Sequence, residues 1–276
     1  TSICRGTSSG QLLYSLEADQ MCAMLALEDF GNEEQRIWND HKTTVTRINV
    51  NEAGDIVASV EQQFGIANIG IKLAGEGSGF GEVTEGDSLD TAPRWVFGRE
   101  REIVFQSAGV GRNQHGHIAA LSPFAIHHLD IQTSAMEVLV EDPEFDHLTP
   151  AMLADGTLYF IRRPCQAIVK PSFLAVFKDV LLFPFRLILS ILQFLNVFAM
   201  IFTGKPLDRA SKTPRMEMEI KQMMIWGRLV QSQQNRPQED EPPDLVPKSW
   251  ELIRRDSSGA EQVIARGVLD FDVSPE

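Results

Sequence analysis

The chain has 276 residues, 38 acidic against 25 basic, and a formal net charge of -13. With 43% hydrophobic and 23% charged residues it has the composition of one or two globular domains, which excludes global disorder. The negative balance argues against nucleic acid as the main partner, because phosphate binding needs a basic footprint.

Cys4, Cys22 and Cys165 are too few for a disulfide-built scaffold and fit no zinc-ligand spacing. The chain opens at Thr1 and carries no visible signal-peptide pattern. Along it, one unit recurs: a turn, then four strands. The turns fall at Gly10, Gly54, Gly98-Arg99 and Asp155-Gly156, and the strand after each lies at 11–17, 55–61, 102–108 and 157–163. These segments are rich in β-branched, aromatic or leucine residues behind a turn signal. Second strands are expected at 21–29, 68–74, 116–123 and 249–256, and third strands at 136–140 and 261–265. Closing strands at 46–50, 93–97 and 269–273 lead into the next turn.

Gly10 to Gly54 is 44 residues, Gly54 to Arg99 is 45 and Arg99 to Gly156 is 57. The last unit reaches the same size once residues from about 170 to 246, which differ in composition, are set aside. Four strands in each 45 residues or so is the pattern of propeller blades. A generic antiparallel sandwich leaves the recurring turn unexplained. The expectation is an all-β chain: a β-propeller with about four four-stranded blades present, and a mainly α-helical hydrophobic insertion. Residues 1–165 form blades, 166–246 the insertion with its linker, and 247–276 complete the interrupted blade and start the next. A fragment of a six- to eight-bladed ring is expected, with a closed four-bladed ring as the alternative.

Segments 90–107, 145–163 and 267–276 resemble TolB-like β-propeller repeats. Asp90, Pro93 and Trp95, then Asp146, Pro150 and Asp155-Gly156, follow that repeat's outline, and Ser274-Pro275-Glu276 matches its turn with Glu for Asp. Phe97-Gly98-Arg99 departs from it. The resemblance implies a propeller, and only weakly a function, since such propellers serve as binding platforms and as peptidase domains. It also implies the periplasm, and a turn or blade-stapling role for Asp90 and Asp146.

Little else suggests chemistry. The cluster 75–81 (GEGSGFG) misses the dinucleotide fingerprint at Phe80 and the nucleophile elbow at Glu76, and is expected to be a hairpin loop. His115 and His117 would share one strand face, as a metal site requires, but lack a compact third ligand, so His115, His117, His127 and His128 are expected in solvated loops. Asp146-His147 is a candidate pH-sensitive pair, and Cys22 a buried inert thiol. No catalytic residue, cofactor or metal is expected.

The anomaly is 173–203. From 181 to 202 only Arg186, Ser190, Gln193 and Asn196 are polar. As a helix these residues reach about 33 Å, and with Lys178 and Asp179 their polar groups share one third of the circumference. A crossing would separate strands 157–163 and 249–256, which belong to one blade. Packing against the propeller or another protein is the alternative. An in-plane or re-entrant helix bent at Pro184 enters and leaves on one side. It would bury Phe173, Leu174, Phe177, Leu181, Leu182, Phe185, Leu187, Ile188, Ile191, Leu192, Leu195, Phe198, Ile201 and Phe202 in lipid. Lys170, Lys178, Arg186, Lys205 and Arg209 would meet headgroups: residues 166–215 carry a net +5, leaving -18 on the remainder. An amphipathic helix is expected over 215–230, and 231–248 reads as an acidic, Pro-rich linker.

The expected function is a non-enzymatic, membrane-tethered scaffold that binds a protein partner. The alternative is the propeller of a larger hydrolase of the prolyl oligopeptidase type. The side of the membrane is open: the resemblance points to the periplasm, the basic flanks and three cysteines to the cytoplasm.

Overall fold

Strand reversal in this chain is written into a four-residue turn closed by glycine. In 51–54 the Gly54 N–H donates to Asn51 O at 3.1 Å, and in 153–156 the Gly156 N–H donates to Leu153 O at 3.0 Å. Both glycines take positive φ, 86° and 85°, which a side chain would oppose. The departing turn at 97–99 has the same start, with Arg99 N–H on Val96 O, but closes only at Glu102, so it is longer by two residues. A further turn of this kind, 256–259, joins the last two strands.

The computed structural model describes residues 2–165 and 246–274, apart from 8–9, 19–20, 29–33, 42, 63–64 and 76–78; within 166–245 it describes only 222–225 and 228–231. The chain divides into two units, 1–165 with 246–276, and 166–245.

In the first unit the strands run β1 (Ser2–Arg5), β2 (Leu12–Ala18), β3 (Met21–Leu27), β4 (Glu34–Asp40), β5 (Thr44–Val50), β6 (Ile56–Glu61), β7 (Ala67–Lys72), β8 (Gly81–Glu82), β9 (Ser88–Trp95), β10 (Glu102–Arg112), β11 (Ile118–Leu121), β12 (Ala125–Asp130), β13 (Ala135–Val140), β14 (Phe145–Met152) and β15 (Leu158–Pro164). In the second unit β16 (Gln222–Ile225) pairs antiparallel with β17 (Arg228–Gln231). The first unit resumes with β18 (Glu251–Arg255) and β19 (Glu261–Arg266).

Four meandering sheets result: β1-β2-β3-β4, β5-β6-β7-β8, β9-β10-β12-β13 and β14-β15-β18-β19. One parallel bridge, Ala67↔Leu89, joins the second to the third. β15 pairs with β18 in register, Phe160↔Ile253 and Arg162↔Glu251, so the fourth sheet runs across the insertion.

The innermost strands β5, β9 and β14 share a device. Each bulges at a residue in the left-handed region: Arg47 (φ 52°), Ala92 (φ 51°) and Thr149 (φ 48°). Pro93 and Pro150 follow directly, at a bulge, where a missing N–H need not break a ladder bond. The core lies between successive blades. Leu13, Met24 and Ile56 fill the first interface, Trp95, Ile103 and Phe105 the next, and Val104, Ile126, Met152, Phe160 and Ile253 the last.

Several expectations need correction. Segment 116–123 is not the second strand of its blade: β11 lengthens a hairpin with β10, all four of its residues are exposed, and β12 takes the blade position. His127 and His128 therefore lie on β12, not in a loop. Gly75 takes positive φ, and residues 76–78 of the glycine cluster lie outside the described residues. The helix expected over 215–230 is a hairpin where it is described, at 222–225 and 228–231. Met216 to Lys221 alternate apolar and polar with a period of two, and Gly227 weakens a helix, so the sequence favours strands. No α-helix occurs among the described residues, and none there is long and apolar enough to cross a membrane; 173–203 lies outside them.

Asp146 and His147 do not pair, because neighbours on a strand point to opposite faces. Asp146 takes Arg163, whereas the His147 ring packs on Phe160 at 5.3 Å with Nδ1 3.3 Å from Phe124 O. Burial holds the His147 pKa below the usual value, against a smaller opposing effect of that carbonyl. The unfolded chain binds the proton as pH falls through about 6.5 while the folded chain resists it, so stability is lost below that pH. The melting temperature is expected to drop between about pH 7.5 and about pH 5.5, and His147→Gln to flatten that slope. An unchanged slope in the variant would assign the effect elsewhere.

Candidate functional site

The innermost strands bring one set of side chains to a common cavity of about 770 Å³, lined by β1, β5, β9, Thr149 of β14 and the segment 270–274. A volume of this size suits a ligand or a peptide segment. Arg47 and Arg94 enter it from positions at and just after the bulges of β5 and β9. The bulge re-aims the strand, which is why a charged residue can face inward there.

Arg94 shows what the cavity accepts. Its Nη1 lies 3.1 Å from Asp272 Oδ1, its Nη2 donates to Phe271 O at 3.0 Å, and the guanidinium lies 5.6 Å from the Phe271 ring centre. Burial lowers the Arg47 pKa, Asp270 opposes that and Arg94 adds to it. An arginine so shifted stays charged at neutral pH. On an acidic body, the axis thus carries two arginines, of which Arg94 engages a carboxylate and a main-chain carbonyl. The Asp272 side chain is 90% exposed, so this ion pair is worth about 0–1 kcal/mol and is readily exchanged.

Side-chain staples hold the inner strands together. Ser2 Oγ accepts from Ile48 N–H at 3.0 Å, Asn49 Oδ1 from Trp95 N–H at 3.0 Å and Gln106 Oε1 from Thr149 N–H at 2.7 Å. The cavity wall is therefore fixed before any ligand arrives.

The sequence-derived sites fare differently. The lipid-facing set from Phe173 to Phe202 and the headgroup set from Lys170 to Arg209 lie outside the described residues. His115 and His117 share no strand face: both sit in the β10–β11 turn, their N–H groups bound to Asn113 Oδ1. Among the described residues no cluster of His, Cys, Asp and Glu could hold a metal. Burial pushes the Cys4 thiol up to about 12 and also raises Cys22, which suits neither to nucleophilic work. Arg47 and Arg94 escaped sequence reading. Their signal is positional, at a bulge residue and directly after Pro93.

Neither a family model nor a curated protein matches the sequence. Solved structures do match. A putative TolB from Agrobacterium tumefaciens is 10% identical with a TM-score of 0.52, over 96% of this chain and 66% of that one. The tricorn protease is 8% identical with a TM-score of 0.52, over 100% of this chain and 23% of that one. An uncharacterized protein from Listeria monocytogenes EGD-e is 9% identical with a TM-score of 0.40, over 99% of this chain and 56% of that one. This chain thus spans less than two thirds of the length of each. At such identities the likeness is one of fold, and with four meandering sheets around an axial cavity, the chain has the fold of a TolB-like β-propeller.

Proposed function

We propose that this propeller is a binding platform, held against one leaflet of a membrane by residues 173–203, that receives an acidic segment of a protein partner in its axial cavity. The observation that carries the tether is the pairing of β15 with β18. Both ends of the insertion leave from neighbouring strands, so a helix lying in the interface can depart and return without carrying either strand across lipid. Support for the partner comes from Arg94, which already takes the carboxylate and carbonyl that an extended acidic segment offers. The TolB-like fold favours the periplasmic side.

The test is flotation with vesicles of equal parts phosphatidylcholine and phosphatidylglycerol. The wild type is expected to float, and Leu187→Glu with Leu192→Glu to stay at the bottom with its strand content unchanged by circular dichroism. A double variant that still floats would refute the tether.

A second reading, a propeller domain within a larger hydrolase, draws on the tricorn protease match, where this chain corresponds to 23% of the longer one. Labelling of the full-length gene product by a fluorophosphonate would favour a serine hydrolase. An unlabelled product would favour the platform.

A further inference from the structure

At one register position two blades solve the same electrostatic problem in different ways. β14 places Asp146 opposite Arg163, and β9 places Asp90 opposite Ser107. Both aspartates are buried, 0% and 4% exposed. A carboxylate taken out of water needs compensating charge or several hydrogen bonds. In the fourth blade Arg163 Nε supplies both, 3.0 Å from Asp146 Oδ2. In the third, Ser107 supplies one hydrogen bond, its O–H donating to Asp90 Oδ1 at 2.6 Å, and no charge.

Beside Asp90 lies space. A cavity of about 660 Å³ lies between the third blade and the chain that enters it from β8, with Asp90 and Ser107 in its lining. Leu129, Ile131 and Met136 give it an apolar wall, and Glu82 and Glu85 add acidic groups. No lysine or arginine is among its described lining residues. His127 also lines it, but burial lowers the imidazole pKa despite the opposing pull of Asp90, so at neutral pH it brings no charge either. The volume falls in the range of small-molecule sites.

We propose that this cavity binds an organic ammonium ion carried on a small apolar frame, with Asp90 as its counter-ion and Ser107 holding the carboxylate in place. The ligand would do for Asp90 what Arg163 does for Asp146. The acidic lining attracts the cation, and the apolar wall selects an organic one over a hydrated inorganic ion. This site is separate from the axial cavity and does not depend on the membrane tether.

Isothermal titration with phenethylammonium chloride tests the proposal, with phenethyl alcohol as the neutral isostere and sodium chloride as the inorganic control. The ammonium is expected to bind, and the alcohol and sodium more weakly by a factor on the order of ten or more. Asp90→Asn keeps the shape and the serine contact, and should cost a similar factor. Ser107→Arg should cost as much, because it installs on β10 the guanidinium that β15 carries at this register. Melting curves establish that both variants fold. If either does not, the comparison of ammonium with alcohol in the wild type decides. Equal binding of alcohol and ammonium, undiminished binding in folded Asp90→Asn, or no binding by the wild type in the millimolar range would each show that Asp90 is only a blade staple.

Discussion

Replacing Asp146 by alanine is expected to lower the unfolding free energy by about 3–5 kcal/mol, the loss that follows when one partner of a buried ion pair is removed. Asp146 is 0% exposed and Arg163 2%. The carboxylate accepts from Arg163 Nε at 3.0 Å and, on its other oxygen, from Phe124 N–H at 3.1 Å. Arg163 also lies 4.9 Å from the Trp250 ring centre. Asp146→Ala removes the carboxylate from a guanidinium that is 2% exposed and leaves the Phe124 N–H without its side-chain acceptor. Asp146→Asn keeps that acceptor and should cost less, whereas Asp146→Leu combined with Arg163→Met removes both charges and should recover much of the loss. Urea denaturation of the three variants checks the order. An alanine variant within about 1 kcal/mol of wild type would mean that the pair is hydrated.

Phe160→Ala is expected to cost a similar amount, about 3–5 kcal/mol, through lost burial and the cavity left behind. Phe160 is fully buried and packs in the cluster that joins the third blade, through Val104 and Ile126, to the fourth, through Met152 and Ile253. Its ring also meets the His147 imidazole edge-on at 5.3 Å. The damage therefore falls between blades as well as within one. The fourth blade is expected to exchange amide hydrogen faster in Phe160→Ala while the first keeps its protection. Uniform loss of protection across all four blades would show instead that they unfold as one cooperative body.

What could be read in the chain follows from which positions physics constrains locally. The turns at Gly54 and Gly156 were legible because positive φ selects glycine, and the strands behind them because buried central strands are apolar. Asp90 and Asp146 stood out beside their prolines. The outer strands β13 and β19 were legible at 136–140 and 261–265, but those of the first two blades were not. β4 (EQRIWND) has no buried residue and so no alternation to detect, and β8 is two residues long. β11 reads as core by composition yet is exposed throughout, since local apolarity does not say which strand gets covered. β12 was hidden by His127-His128, although Ile126 and Leu129 on either side are buried. The axial arginines were silent for another reason. A basic residue in a strand does not announce which side of a ring it will face until the bulge is known.

A membrane tether of this kind requires the insertion to meet lipid from one side. In a Cys4→Ser, Cys22→Ala background, Cys165 reports the chain just after β15. Val246→Cys reports the return at the start of the resumed unit. With protein bound to the outside of sealed vesicles, a membrane-impermeant maleimide is expected to label both positions to the same extent, before and after detergent. Labelling of one position, with the other protected until detergent is added, would mean that the insertion crosses the bilayer and would contradict the account.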